Sequence, residues 1–327
     1  MLRTLLALST LLAPVSDSKT VSAPPVSAEA FRGWFEEARH GKLDVPDEIL
    51  RAARRHRYVF VEGFWNEGMS AYFHDNIREL RALGVPRSAI HTVSPSSHKA
   101  GDGHASAVRD AFHAVADKGP ERLVVIAHSR GACDALAFAL SDRDFVRDRV
   151  AALFLVQGPF GGTGIADYVM GEGPPTDRTI PARHRIVVRL FARLEKLRLE
   201  WGGHAGLNEM TRRSSRDFWT RVLRERAEAI PVVGPKTYFV TTESHPPRLR
   251  PIRRAFAFYL AAYFGPNDGI VVRADQALAG LGAIVRLPDA GHNDLTHRFS
   301  GGRRGRRSRA AIVDAILMAV GRSDEKR

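Results

Sequence analysis

Five apolar residues in unbroken succession, Leu123-Val124-Val125-Ile126-Ala127, are the feature that most limits how this chain can fold. A strand apolar at every position must be covered on both faces, the condition of a central strand in a parallel sheet. A small-residue helix is predicted directly after it, from Gly131 to Leu140. The same alternation continues on either side. Tyr58-Val59-Phe60-Val61 reads as a strand, followed by a helix over about Ala71 to Leu83 that Gly84 and Pro86 close. Ile90-His91-Thr92-Val93 reads as the next strand. Val108, Ala111, Phe112 and Val115 then form a helical stripe between His104 and Lys118, stopped by Gly119-Pro120. Another buried strand spans Ala151 to Val156. Repeated β-α-β order predicts an α/β fold built on a mostly parallel, doubly wound sheet.

From Gly158 to Pro231 the alternation breaks, and residues 158–231 are expected to form a helical cap or lid insertion. Glycine and proline crowd Gly161 to Pro181. A basic helix follows in which Val187, Leu190, Phe191, Leu194 and Leu197 share one face, with Arg185, Arg189, Arg193 and Lys196 elsewhere. That face has two readings: it packs on the core, or it belongs to a lid that meets lipid while its arginines meet phosphate or carboxylate groups. The sheet pattern resumes at Thr237-Tyr238-Phe239-Val240 and ends with Ile284-Val285-Arg286-Leu287, before a last helix from Ala310 to Val320. Ahead of the first strand, Phe31, Trp34 and Phe35 recur at helical spacing, so residues 24–57 are expected as a helical arm in front of a domain spanning 58–327. With 327 residues, 44% of them hydrophobic, one domain with an insertion is the natural division.

Residues 1–23 combine Arg3, an apolar run from Leu5 to Val15 and then small polar residues, the layout of a secretory signal. Val21-Ser22-Ala23 is the candidate cleavage site, although Pro24 follows it. Ser9, Thr10 and Pro14 interrupt the run, and its length falls short of a bilayer span. The expectation is a periplasmic or secreted protein; a membrane anchor and a cytoplasmic location are the alternatives. A single cysteine, Cys133, excludes an internal disulfide and a cysteine-rich zinc site. The net charge of +13 would draw the chain to anionic surfaces. Much of it lies between Arg178 and Arg226 and in the run from Gly301 to Arg309. Aromatic residues are not interleaved there, which speaks against nucleic acid and favours an anionic membrane surface or a plain solvated face, with an anionic-polymer binder as the rival reading.

The chemistry centres on Ala127-His128-Ser129-Arg130-Gly131, a G-x-S-x-G elbow with alanine in its first small position. The pentapeptide alone specifies little, because glycine and alanine are common. Its context says more: a strand precedes it and a helix follows. Such a turn needs small residues at 127 and 131, projects the Ser129 hydroxyl at the carboxyl edge of the sheet, and sets the Arg130 N–H near a developing oxyanion. A serine nucleophile also needs a histidine to take its proton and an acid to orient that histidine, in the chain order Ser, acid, His. Asp268 in the turn-rich loop Gly265-Pro266-Asn267-Asp268-Gly269 and His292 in Asp289-Ala290-Gly291-His292 meet that order. Glu243 and Asp289 are rival acids, and His245 and His297 rival bases. Each residue also has a plainer reading: Asp268 as a turn former, His292 as a loop cap, Ser129 as a buried turn serine.

From about Tyr58 onward the chain resembles bacterial triacylglycerol lipases and esterases of the α/β-hydrolase superfamily. The elbow is similar to the A-H-S-x-G form of some small Bacillus-type lipases. Gly206-Leu207-Asn208-Glu209-Met210-Thr211, with Phe218 downstream, resembles their S-L-T…F-N stretch. Asn267-Asp268-Gly269-Ile270-Val271-Val272 resembles their N-D-G-x-V-P acid loop, and His292-Asn293-Asp294 their H-x-D. The resemblance implies an α/β-hydrolase fold and hydrolysis of small-molecule or lipid esters by Ser129, Asp268 and His292, without a cofactor. Thioester or amide cleavage with the same three residues is the alternative, as is a catalytically silent binding protein. It further implies that the Phe64 N–H is the second oxyanion donor, after Glu62-Gly63, where the family has His-Gly. Some members hold a structural calcium through the H-x-D aspartate; Asp294 matches that position, but no partner acid is evident and a loop-capping role is favoured.

Overall fold

The apolar strands assemble as their patterning requires. The computed structural model describes residues 23–64, 71–96, 102–200 and 205–325; the expected signal run from Leu5 to Val15 lies outside them. Strands β1 (Arg57–Val61), β2 (Ile90–Val93), β3 (Leu123–His128), β4 (Val150–Val156), β5 (Thr237–Thr242) and β6 (Ala283–Leu287) form one six-stranded sheet in the order β2-β1-β3-β4-β5-β6. Every neighbouring pair is parallel. Up to β4 the helices are α1 (Ala28–Arg39), α2 (Asp47–Ala53), α3 (His74–Ala82), α4 (Asp102–Ala116), α5 (Arg130–Ser141) and α6 (Arg143–Arg149). Between β4 and β5 come α7 (Gly164–Met170), α8 (Ala182–Glu200), α9 (Arg212–Glu225) and α10 (Ile230–Val233), a helical insertion. Helices α11 (Pro251–Tyr263) and α12 (Gly302–Glu325) flank β6 in the chain.

Strand alternation divides the interior in two. Tyr58, Phe60, Val124, Ile126, Phe154 and Tyr238 face α1, α3 and α12, while Val59, Val61, Val125, Leu153 and Phe239 face α4 to α6 and the end of the insertion. Central β3 is buried at every position, which is why its sequence is apolar throughout. The segment ahead of β1 is built into the first of these cores. Ser27 caps α1 by accepting the Ala30 N–H at 3.1 Å, and Phe31 and Phe35 are fully buried, with Phe31 against Phe154 and Tyr238. Each such aromatic contributes about 2–3 kcal/mol of burial free energy.

Three elements depart from their sequence-based outlines. Helix α3 begins at His74 because residues 71–73 run as a loop, bridged by Tyr72 to His297 and turned by Phe73 at φ 51°. Helix α12 takes in the glycine- and arginine-rich run. Glycine is poorly suited to a helix, but a Cβ at Gly305 would lie 2.3 Å from the Ser300 carbonyl oxygen, so packing selects it there. Arg309 from that run is buried and ion-paired with Asp75 at 3.0 Å, so the run is not a uniformly solvated face. On α8 the residues turned inward are His184, Val188, Ala192 and Glu195, whereas Leu190, Leu194 and Leu197, together with Ile186, are exposed. That inward face packs mainly on neighbouring helices, with His184 stacked on Phe258 and Val188 beside Phe256 of α11, while Glu195 reaches a cavity.

Candidate active site

Ser129 stands between β3 and α5 with φ 55° and ψ −130°, a conformation that only glycine adopts without strain. The surroundings dictate the small residues of this turn. A Cβ on Gly131 would lie 2.4 Å from the Glu62 carbonyl oxygen, and one on Gly63 would lie 2.7 Å from Ser129 Cβ. The end of β1 therefore runs directly against the elbow. Ser129 N–H donates to the Val156 carbonyl at 2.9 Å, which ties the turn to β4 as well. Helix α5 starts at Arg130, so that N–H belongs to the first turn, whose amides have no partner within the helix.

Ser129, His292 and Asp268 share one chain of hydrogen bonds. Ser129 Oγ donates to His292 Nε2 at 2.9 Å, and His292 Nδ1 donates to Asp268 Oδ2 at 2.8 Å. Asp268 has no exposed surface, and its other oxygen accepts the N–H groups of Ile270 and Val271 at 2.9 and 2.8 Å. Loop 267–272 is itself closed by an Asn267 to Val272 bridge and by Gly269 at φ 95°. The His292 N–H donates to the Asp268 carbonyl at 2.9 Å, so backbone and side chains fix the same pairing.

A second polar network, unmarked by any motif or periodicity in the chain, lies beneath the first. The Tyr72 hydroxyl accepts the Gly63 N–H at 3.1 Å and donates to His128 Nδ1; His128 Nε2 donates to the His292 carbonyl at 2.6 Å. Burial, then the neighbouring His292, hold the His128 pKa well below the usual histidine range, so this ring is neutral. Burial likewise pushes the Tyr72 phenol up. Gln157, at φ 53°, lies 3.2 Å from His128 Nε2 and donates to Thr242 Oγ1 and the Gly291 carbonyl. Gln276 donates to Asp268 Oδ2 at 3.2 Å and accepts the Thr242 N–H at 2.7 Å. Two buried amides thus connect the ends of β4 and β5 to the loops bearing Asp268 and His292.

The rival residues lie elsewhere. Glu243 pairs with Arg273, Asp289 with Arg248 and Arg304, and His245 is exposed on the surface. His297 packs edge-on against Tyr72, and burial lowers its pKa. Glu62 accepts a hydrogen bond from Ser94 at 2.6 Å. Asp294 caps its own turn by accepting the Gly291 N–H at 2.9 Å and the Ser300 hydroxyl at 2.5 Å. Among the described residues no group of three or more His, Cys, Asp or Glu is arranged to hold a metal ion. The Arg130 side chain reaches the Gly206 carbonyl at 2.9 Å and Glu209, fastening the segment before α9 to the elbow. Phe218 lies further along α9 against Trp219.

Ser129 and His292 open on a cavity of about 390 Å³. Phe64, Ile165, Phe191, Leu207 and Met210 supply much of its apolar wall. Glu195 and Arg198 of α8 and Arg253 of α11 supply charge, and Glu195 pairs with Arg198 at 2.5 Å. The pocket follows the general placement of sites in open α/β sheets, beyond the strand carboxyl ends where the order reverses, here between β1 and β3.

Residues 56–299 match the Alpha/beta hydrolase family. A metagenomic carboxyl esterase of known structure is 22% identical, with 84% of this chain and 77% of that chain covered and a TM-score of 0.55. A Bacillus licheniformis lipase in its mature form is 11% identical over 72% of this chain and 84% of its own, with a TM-score of 0.48. No curated protein sequence matches the chain. The esterase comparison shows a shared fold.

Proposed function

The chain belongs to the α/β hydrolase family, and from that premise we propose that it is a serine hydrolase of carboxylic esters, acting on lipid or acyl esters through Ser129, His292 and Asp268. The observation that carries the reading is the hydrogen-bond chain from Ser129 Oγ to His292 to Asp268, set at the wall of an apolar cavity. Ser129 Oγ attacks the ester carbonyl as its proton passes to His292 Nε2. Asp268 holds the ring through Nδ1 and offsets the charge it gains. The N–H groups of Arg130 and Phe64 receive the oxyanion. His292 then gives its proton to the departing alcohol, and water, activated by the same ring, hydrolyses the acyl-enzyme. No cofactor enters this chemistry.

Replacing Ser129 by Ala is expected to abolish turnover of a p-nitrophenyl ester, and undiminished turnover would refute the assignment. A fluorophosphonate that fails to label Ser129 in folded protein would point instead to a binding protein on the same scaffold. Rates over matched esters, thioesters and amides identify the leaving group.

Contact with an anionic lipid surface, in this reading, falls to α8. Ile186, Leu190 and Leu194 are 65%, 57% and 49% exposed, and exposed Arg193 and Lys196 border them. A medium-chain ester should then be cleaved faster above its solubility limit, and less so in a Leu190→Ser, Leu194→Ser variant. A rate that does not rise above that limit removes the lipid contact from the proposal.

A further inference from the structure

Arg253 lies in the first turn of α11 and lines the same cavity as Ser129 and His292. Among the described residues its side chain makes one hydrogen bond, from Nη1 to Ser300 Oγ at 3.1 Å. No described carboxylate pairs with it. Ser300 passes its own hydroxyl proton to Asp294 Oδ1, and the other Asp294 oxygen is taken by the Gly291 N–H. Both oxygens of Asp268 are likewise engaged, by Ile270, Val271, Gln276 and His292. Arg250 and Arg254 beside it donate to backbone carbonyls at the surface, whereas Arg130, Arg309 and Arg198 are matched by Glu209, Asp75 and Glu195.

Burial in the cavity wall pulls the Arg253 pKa down; the charges of Asp294 and Asp268, whose oxygens are committed to other hydrogen bonds, oppose that shift, and Arg250 adds to it by like-charge repulsion. A partly desolvated guanidinium that no carboxylate engages directly keeps N–H donors for an anion entering the cavity. The amides of the α11 first turn add positive potential on the same side. A planar fork of N–H donors fits a carboxylate or a phosphate through paired hydrogen bonds.

We infer that Arg253 receives an anionic group, a carboxylate or a phosphate, carried by the ester that Ser129 attacks. The substrate class narrows from esters in general to esters with an acidic end, whose apolar part rests on Phe64, Phe191, Leu207 and Met210. This rests on the hydrolase reading, and the experiment separates the two.

The test compares kcat/KM for p-nitrophenyl heptanoate, the mono-p-nitrophenyl ester of adipic acid and a phosphonate-terminated counterpart of the same length, each corrected for spontaneous hydrolysis. At least one anionic ester should exceed the neutral one by about tenfold or more, and whichever leads identifies the anion. In Arg253→Gln that ratio should fall toward unity, and Arg253→Lys should keep part of it. No anionic preference in the unaltered protein, or a ratio that survives Arg253→Gln, overturns the inference. Calorimetric titration of the Ser129→Ala protein with the same esters reads binding without turnover. Anionic-selective binding lost in the Ser129→Ala, Arg253→Gln protein, with no ester hydrolysed by the unaltered chain, would uphold Arg253 and end the hydrolase reading. Ser129-dependent hydrolysis without anionic preference would do the reverse.

Discussion

The ring of His128 donates to the backbone carbonyl of His292 at 2.6 Å, so the residue before Ser129 holds the loop that presents Ser129's own hydrogen-bond partner. The elbow and the histidine loop are therefore not independent parts. Tyr72 supports the arrangement from the far side of the His128 ring and also receives Gly63, where the chain end of β1 passes the elbow.

Tyr72→Phe removes one hydroxyl and leaves both a buried N–H and a buried ring nitrogen short of their partner. It is expected to lower stability by about 1–3 kcal/mol. The His292 loop should loosen with it, lowering kcat more than it raises KM. Urea unfolding and steady-state kinetics read the two effects, and an unchanged unfolding midpoint would contradict the network's contribution.

Ser129 holds a backbone conformation natural to glycine. Ser129→Gly should therefore unfold at a higher temperature than Ser129→Ala, because only glycine relieves the strain; both are expected to be inactive. The gain is about 1 kcal/mol, since relief of strain is partly offset by the greater chain entropy of glycine when unfolded. Equal melting temperatures for the two variants would show that the turn is not strained.

Asp314 on α12 has its carboxyl pushed up to about 7, first by burial and then by the nearby Glu79. A carboxyl with a raised native pKa binds its proton more tightly folded than unfolded, so stability falls as pH climbs from about 4 to about 7. Asp314→Asn should remove that dependence. The variant should match the parent near pH 4 and exceed it at pH 8 by as much as about 4 kcal/mol. Denaturant titrations across that pH range check the crossing, and a parallel pair of curves would exclude it.

All six strands were legible from the chain because each is an apolar run or alternation bounded by turn residues, and a parallel sheet buried on both faces leaves little ambiguity. Ser129, Asp268 and His292 were legible as a set through their order and their positions after strands. Tyr72, His128, Gln157 and Gln276 were not. Each is a single polar residue with no periodicity to mark it, and they meet only because the loops beyond β1, β3, β4 and β5 converge. For α8 the periodicity located an apolar stripe but carried no information on whether anything covers it. The inward face is instead set by Val188, Ala192 and a glutamate, which no hydrophobic pattern would select. Arg309 was hidden for a related reason: within a run of arginines nothing distinguishes the one whose partner is Asp75.

Arg309 also donates to the carbonyls of Asp294, Arg298 and Ser300, so the segment just after His292 is anchored by a residue of α12, the helix on which α1 also packs. During synthesis Ser129 emerges early and Asp268 and His292 later, yet the anchor for the histidine loop and the surface that receives α1 emerge later still. A nascent chain halted before α12 holds Ser129, Asp268 and His292 but lacks this anchor for the histidine loop, whose set of tethers is complete only once translation has carried α12 clear of the ribosome.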